Sequence, residues 1–224
     1  MKKLLQILLL SLGLIGCASL EFSASPAEAE TKKILALGLT HTENLSEARK
    51  LTDPTLVSEV VQELKTRNDN AHIEAEKVAK YAEKVTVSDS NSKFIGSEIN
   101  ERKKMGFLIN SDYEDYFLQG SINNGLIQHQ LHLSIKYTSD NWRNYYSASF
   151  SKENQVDITL ISSSAVSCSG SSCDYTEVME LNLSDDFLRS NMEKGFSIVF
   201  NSIKRTNKIT IPSDYIKGYL KVAK

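Results

Sequence analysis

The stretch NNGLIQHQLHLSIKY, residues 123–137, decides the fold class. Ile127, His129, Leu131, Leu133, Ile135 and Tyr137 alternate with Gln128, Gln130, His132, Ser134 and Lys136. A period of two describes a strand that buries one face and shows the other to water. Asn123-Asn124-Gly125, just before it, is a tight-turn signal, because Asn and Gly accept the left-handed backbone that a two-residue hairpin turn demands. With residues 116–122 upstream, the stretch predicts a β-hairpin. Further strands are expected over residues 93–100, 145–150, 156–162, 175–183 and 196–203. Most are joined by short polar loops, which favours an antiparallel sheet or sandwich over a parallel one.

Toward the N-terminus the period lengthens to 3.6. Residues 32–88 read as mainly helical, although KKILALGLTHT (32–42) suits strand or helix equally. Asp53-Pro54 supplies a cap and a first-turn proline, and Val57, Val60, Val61 and Leu64 share one face, predicting a helix over 54–66. Arg67-Asn68-Asp69-Asn70 is expected to break it before a second helix over 71–85. Two short helices are expected late in the chain. Ser184 caps one that Gly195 stops, and Pro212-Ser213-Asp214 opens the other, with Tyr215, Ile216, Tyr219 and Leu220 on one face. The fold class is therefore α+β: a helical region at 32–88, then an antiparallel β-rich region at 89–224 that ends in a helix.

The chain has 224 residues, 26 basic against 28 acidic side chains, and a net charge of −2. Without a sustained basic run it is a poor ligand for nucleic acid, which is held through clustered Lys and Arg. Arg102-Lys103-Lys104 reads as a solvated turn. Cys168 and Cys173 enclose Ser-Gly-Ser-Ser, which suits the tip of a hairpin, and such a close pair is most simply a disulfide of an oxidising compartment. Closing so short a loop stabilises by about 2 kcal/mol in the chain-entropy description. Cysteine pairs used for redox chemistry usually carry two intervening residues, and zinc would need two further ligands nearby.

The first twenty residues, MKKLLQILLLSLGLIGCASL, place two lysines before an apolar run at residues 4–15 that is too short to span a bilayer, then Leu14-Ile15-Gly16-Cys17. This resembles the signal peptide and lipobox of a bacterial lipoprotein. The resemblance implies removal of residues 1–16 and acylation of the Cys17 thiol with diacylglycerol and further chains. The anchor would then be a lipidated cysteine, and Ala18 after it favours the outer membrane, with the periplasmic or surface face left open. Two or more chains hold a protein stably in a bilayer. Residues 17–31 read as a flexible lipidated tether, with a coil reach of about 20 Å.

Motifs for chemistry are sparse. His129 and His132, three apart on a strand, point to opposite faces and do not share a metal ion; His129, on the apolar side, reads as a core histidine. Ser139-Asp140-Asn141 and Ser90-Asn-Ser-Lys93 match two elements of serine penicillin-recognising enzymes, but no Lys-Thr-Gly strand follows. No cofactor or metal is assigned. The remaining lead is aromatic: Tyr113, Trp142, Arg143 and Tyr145 suit a binding patch for an envelope protein or glycan, provided they are exposed together. The expected role is a non-catalytic binding or envelope-assembly component. The alternatives are an inhibitor that blocks a hydrolase or toxin with its disulfide-tipped hairpin, and an envelope enzyme.

Overall fold

The computed structural model of the protein describes residues 24–88, 92–103, 112–151 and 154–224. The leader-like stretch with Cys17, residues 90–91 of the Ser90 motif and Lys104 of the basic turn lie outside these residues. The chain divides into two compact units, Met1–Asp69 and Asn70–Lys224.

The first unit holds α1 (Pro26–Leu35), α2 (His41–Ala48) and the opening turns of α3 (Pro54–Glu83). Helix α1 corrects the expected tether over 17–31, which is helical from Pro26. Ser25 Oγ accepts the Glu28 N–H, proline fills the first helical position, and Lys32 pairs with Glu28 at 2.8 Å. A cap, a fixed φ and good helix formers outweigh the small, polar composition that suggested coil. The helix ends within the ambiguous 32–42 stretch, where Gly38 takes φ +68°. Thr40 and Glu43 then form a reciprocal capping box that starts α2. The Asp53 carboxylate accepts the Thr55 and Leu56 N–H groups at the head of α3. Ala27, Ile34, Ala48, Val60 and Leu64 close a small core.

Helix α3 also corrects the expected break at 67–70, since it runs unbroken through those residues. Asn and Asp are weak helix formers, yet neither removes a backbone donor as proline does. Arg67 Nε reaches back to Glu63 at 2.7 Å, an i,i+4 pair that favours continuation.

The second unit contains β1 (Thr86–Val87), β2 (Lys93–Ile95), β3 (Ile99–Lys103), β4 (Asp112–Asn123), β5 (Leu126–Ser139), β6 (Tyr145–Ser149), β7 (Gln155–Asp157), β8 (Thr159–Ser169), β9 (Ser172–Leu183), α4 (Asp185–Asn191), β10 (Phe196–Ser202), β11 (Thr206–Ile211) and α5 (Ser213–Val222). One sheet has the order β1-β2-β4-β5-β9-β8, with β3 also on β4; the other runs β11-β10-β6-β7. All the pairings are antiparallel. The α+β class and the antiparallel sheets match the reading of the sequence. The expected 93–100 strand is split in two at Gly96, and the 156–162 strand is split into β7 and a much longer β8. Strand β11 was not anticipated.

The β4–β5 turn places Asn124 at φ +50° and Gly125 at φ +77°, both left-handed, as the Asn-Asn-Gly signal required. Along β5, residues 129, 131, 133, 135 and 137 are buried, so the alternation sets the face. That face meets β10 and β11, α4 and α5 in one core that includes Leu118, Leu131, Leu133, Met179, Leu188, Phe200, Ile209 and Tyr219. Two tyrosines fasten α5 to the sheet. The Leu118 N–H donates to Tyr215 Oη, which donates to the Ser97 carbonyl, each at 2.9 Å, and Tyr219 Oη lies 2.9 Å from His129 Nδ1.

Candidate functional site

Two places in the second unit depart from an ordinary alternating sheet. The first is a run of carboxylates on the buried face. Inward positions of β4 carry Asp112 and Glu114 before Tyr116 and Leu118, and β9 carries Glu177 between Tyr175 and Met179. The loop leaving β5 brings Arg143 to them, and β11 brings Asn207.

The contacts form one connected network. Arg143 holds Asp112 bidentately, Nη1 to Oδ2 and Nη2 to Oδ1 at 2.7 Å each, with the pair almost wholly buried. Asn207 Nδ2 donates to Asp112 at 3.0 Å and to Glu114 at 2.8 Å, while Tyr145 donates its hydroxyl to Asn207 Oδ1. Glu177 accepts the Tyr137 hydroxyl and, at 3.2 Å each, the Asn144 and Tyr145 N–H groups. Tyr137 Oη in turn accepts the Arg143 N–H at 2.9 Å, and the Arg143 guanidinium lies 4.0 Å from the Tyr137 ring centre. Burial pushes the Asp112 carboxyl up, but hydrogen bonds from Arg143 and Asn207 outweigh it and hold the group below the usual aspartate range. Burial likewise pushes the Tyr145 phenol up to about 12, so it stays protonated and able to donate.

This overturns the expected patch of Tyr113, Trp142, Arg143 and Tyr145. Arg143 and Tyr145 are 4% and 5% exposed and face the interior, whereas Tyr113 is 41% exposed on the other side of β4. Trp142 is half-buried, its ring centre 4.3 Å from that of Tyr175. Residues close in sequence were separated because strand alternation and the loop at 140–144 send neighbouring side chains in opposite directions. Above the network a cleft of about 390 Å³ is lined by Thr138, Ser139, Asp140, Arg143, Ser172, Lys204 and Arg205. Asp140 sits 3.7 Å from Lys204, which lowers its carboxyl.

His129 is a satisfied core histidine. Its Nε2 lies 3.1 Å from Asp185 Oδ1, and a carboxylate only accepts, so Nε2 carries the proton and Nδ1 accepts from Tyr219. Burial lowers its basicity more than Asp185 raises it, which keeps the ring neutral. His132 lies on the opposite face beside Glu180, 3.3 Å away. Among the described residues no three His, Cys, Asp or Glu side chains gather as a metal-binding group, and no helix is long and apolar enough to cross a membrane.

The second departure is β8. Its eleven residues, TLISSSAVSCS, carry no charge, form the last strand of their sheet and are all exposed. Leu160, Ile161 and Val166 are 50%, 49% and 73% exposed. The strand is tied to β9 at its far end, where Cys168 and Cys173 sit directly opposite each other with their sulfurs at disulfide-bond distance. Gly170, at φ +63°, opens the two-residue turn.

The sequence reading missed Asp112, Glu114, Glu177 and Asn207. The available signal was a carboxylate at an inward position of an otherwise apolar alternation, as in Tyr175-Thr-Glu177-Val-Met179. No family model, curated protein or solved structure matches this chain.

Proposed function

We propose that the protein is a non-catalytic binding component of the bacterial cell envelope, anchored through a lipidated Cys17 and using the β-rich unit for recognition. The observation that carries this reading is the contrast between the two departures above. Arg143, Asp112, Glu177 and Tyr137 are engaged in joining strands of both sheets, while β8 presents apolar side chains and an open backbone edge. An exposed sheet edge binds by adding a strand, with main-chain hydrogen bonds for affinity and alternate side chains for selectivity. The cysteine pair agrees with an oxidising compartment, and the leader-like stretch with export and lipid attachment. A lipid anchor raises the local concentration of partners that share the membrane.

The disulfide-tipped β8–β9 hairpin favours a second reading, an inhibitor that inserts this tip into the cleft of a hydrolase or toxin.

Chemical crosslinking in intact cells, comparing the wild-type chain with Cys17→Ser, tests the proposal. Expected is fatty-acid labelling and capture of envelope components by wild type, with both lost in Cys17→Ser. Capture of one hydrolase or toxin by both forms would transfer the role to the inhibitor reading. Absence of labelling in the wild type would remove the anchor.

A further inference from the structure

The other sheet edges are protected in ways that β8 is not. Strand β1 has two residues; β7 has three, one of them Asp157; and β11 shows Lys208 to solvent. Short edge strands and charged side chains are the usual devices that stop sheets from pairing edge to edge. Strand β8 is long and uncharged, although 24% of the chain is charged, and the one such device it carries is a pair of bulges, at Ile161 and Val166. Its irregularities lie toward its ends, between Leu160 and Ser162 and between Ala165 and Ser167, leaving residues 162–165 in regular register with β9.

The sequence of this edge is close to a palindrome of residue types. Leu160-Ile161 and Ala165-Val166 flank Ser162-Ser163-Ser164. We infer that β8 pairs antiparallel with β8 of a second copy of this chain, about a two-fold axis through Ser163. A two-fold interface requires one patch to complement itself. In this register Ser163 faces Ser163 and Ser162 faces Ser164 of the other copy, and the apolar residues 160–161 lie beside 165–166 of the other copy, where the bulges at Ile161 and Val166 end the regular ladder. No like charges meet anywhere along the strand, which would oppose pairing. The small central side chains let the backbones approach, and the two sheets become one continuous sheet. This inference rests on the reading of β8 as a recognition edge and names its occupant.

The test uses the full chain, expressed with its own leader. Ser163→Cys places two thiols opposite each other at the axis. Under mild oxidation it is expected to give a species of twice the mass of the processed chain on a non-reducing gel. Ser190→Cys, also exposed, on α4, is expected to stay monomeric. Adding Ile161→Lys and Ala165→Lys sets like charges beside each other across the axis and is expected to abolish the crosslinked species. Adding Ile161→Lys and Ala165→Glu instead sets opposite charges there and is expected to restore it, a result that mere loss of folding does not give. A Ser163→Cys band no stronger than that of Ser190→Cys overturns the pairing. If Ser163→Cys crosslinks to a different protein, the second copy is ruled out while the binding role stands. If it crosslinks to nothing and the double-lysine variant keeps every partner of wild type, both fall.

Discussion

Strands β8 and β9 belong to one hairpin and are closed by the same cysteine pair, yet β9 buries every second side chain from Tyr175 to Leu183 and β8 buries none. Their register partners make the difference concrete. Met179 is fully buried opposite Leu160, which is half exposed, and Glu177 accepts three hydrogen bonds opposite the exposed Ser163. Backbone pairing continues to the last strand, whereas the cover of a second layer stops one strand earlier. The β-rich unit is therefore stabilised through β9 and its inner neighbours, and β8 is left exposed.

The largest effect expected on this contrast is at Arg143. Arg143→Met leaves Asp112 as a buried carboxylate without its cation, a loss of about 3–5 kcal/mol, measurable by urea unfolding. Next, Met179→Ala is expected to lose about 2–5 kcal/mol, whereas Leu160→Ala, its partner across the ladder, is expected to lose under about 0.5 kcal/mol. Equal losses at the two positions would show that β8 is covered after all. Acid should act on the buried side and not on β8. The His129 proton affinity is depressed in the folded state, so the unfolded chain takes up the proton first, and stability falls as pH drops below about 6.5. Asp112, also depressed, adds a second decline below about pH 4. Thermal unfolding across pH checks both stages. The β8 edge has no titratable side chain outside its disulfide, so its pairing should hold across the first stage wherever the fold does.

Much of the comparison was legible in residues 123–137, because a strict period of two has one physical meaning when the flanking turn chemistry agrees. The Ser184 and Gly195 signals of α4, and the tyrosine face of α5, were legible for the same reason: cap, stop and stripe all pointed to one element. Strand β11 was missed because six residues with three buried positions carry little periodic signal. The Ser-rich β8 was read only to residue 162, since a strand exposed on both faces has no alternation to find. The carboxylates of the buried network went unread. Their role depends on Arg143 and Asn207, which are 31 and 95 positions from Asp112, and no local pattern records such a distance.

The Tyr215 contact bears on how the molecule is made. Leu118, in the middle of β4, donates its backbone N–H to a side chain of α5, and the Cβ that any other residue would add at Gly96 would lie 2.7 Å from the same hydroxyl. Residues 213–222 are synthesised after all eleven strands of the unit. Chains are built from the N-terminus, so the sheet remains incomplete on its inner face throughout elongation. Completion waits for the final helix, and until then the nascent unit is a substrate for whatever handles unfolded chains.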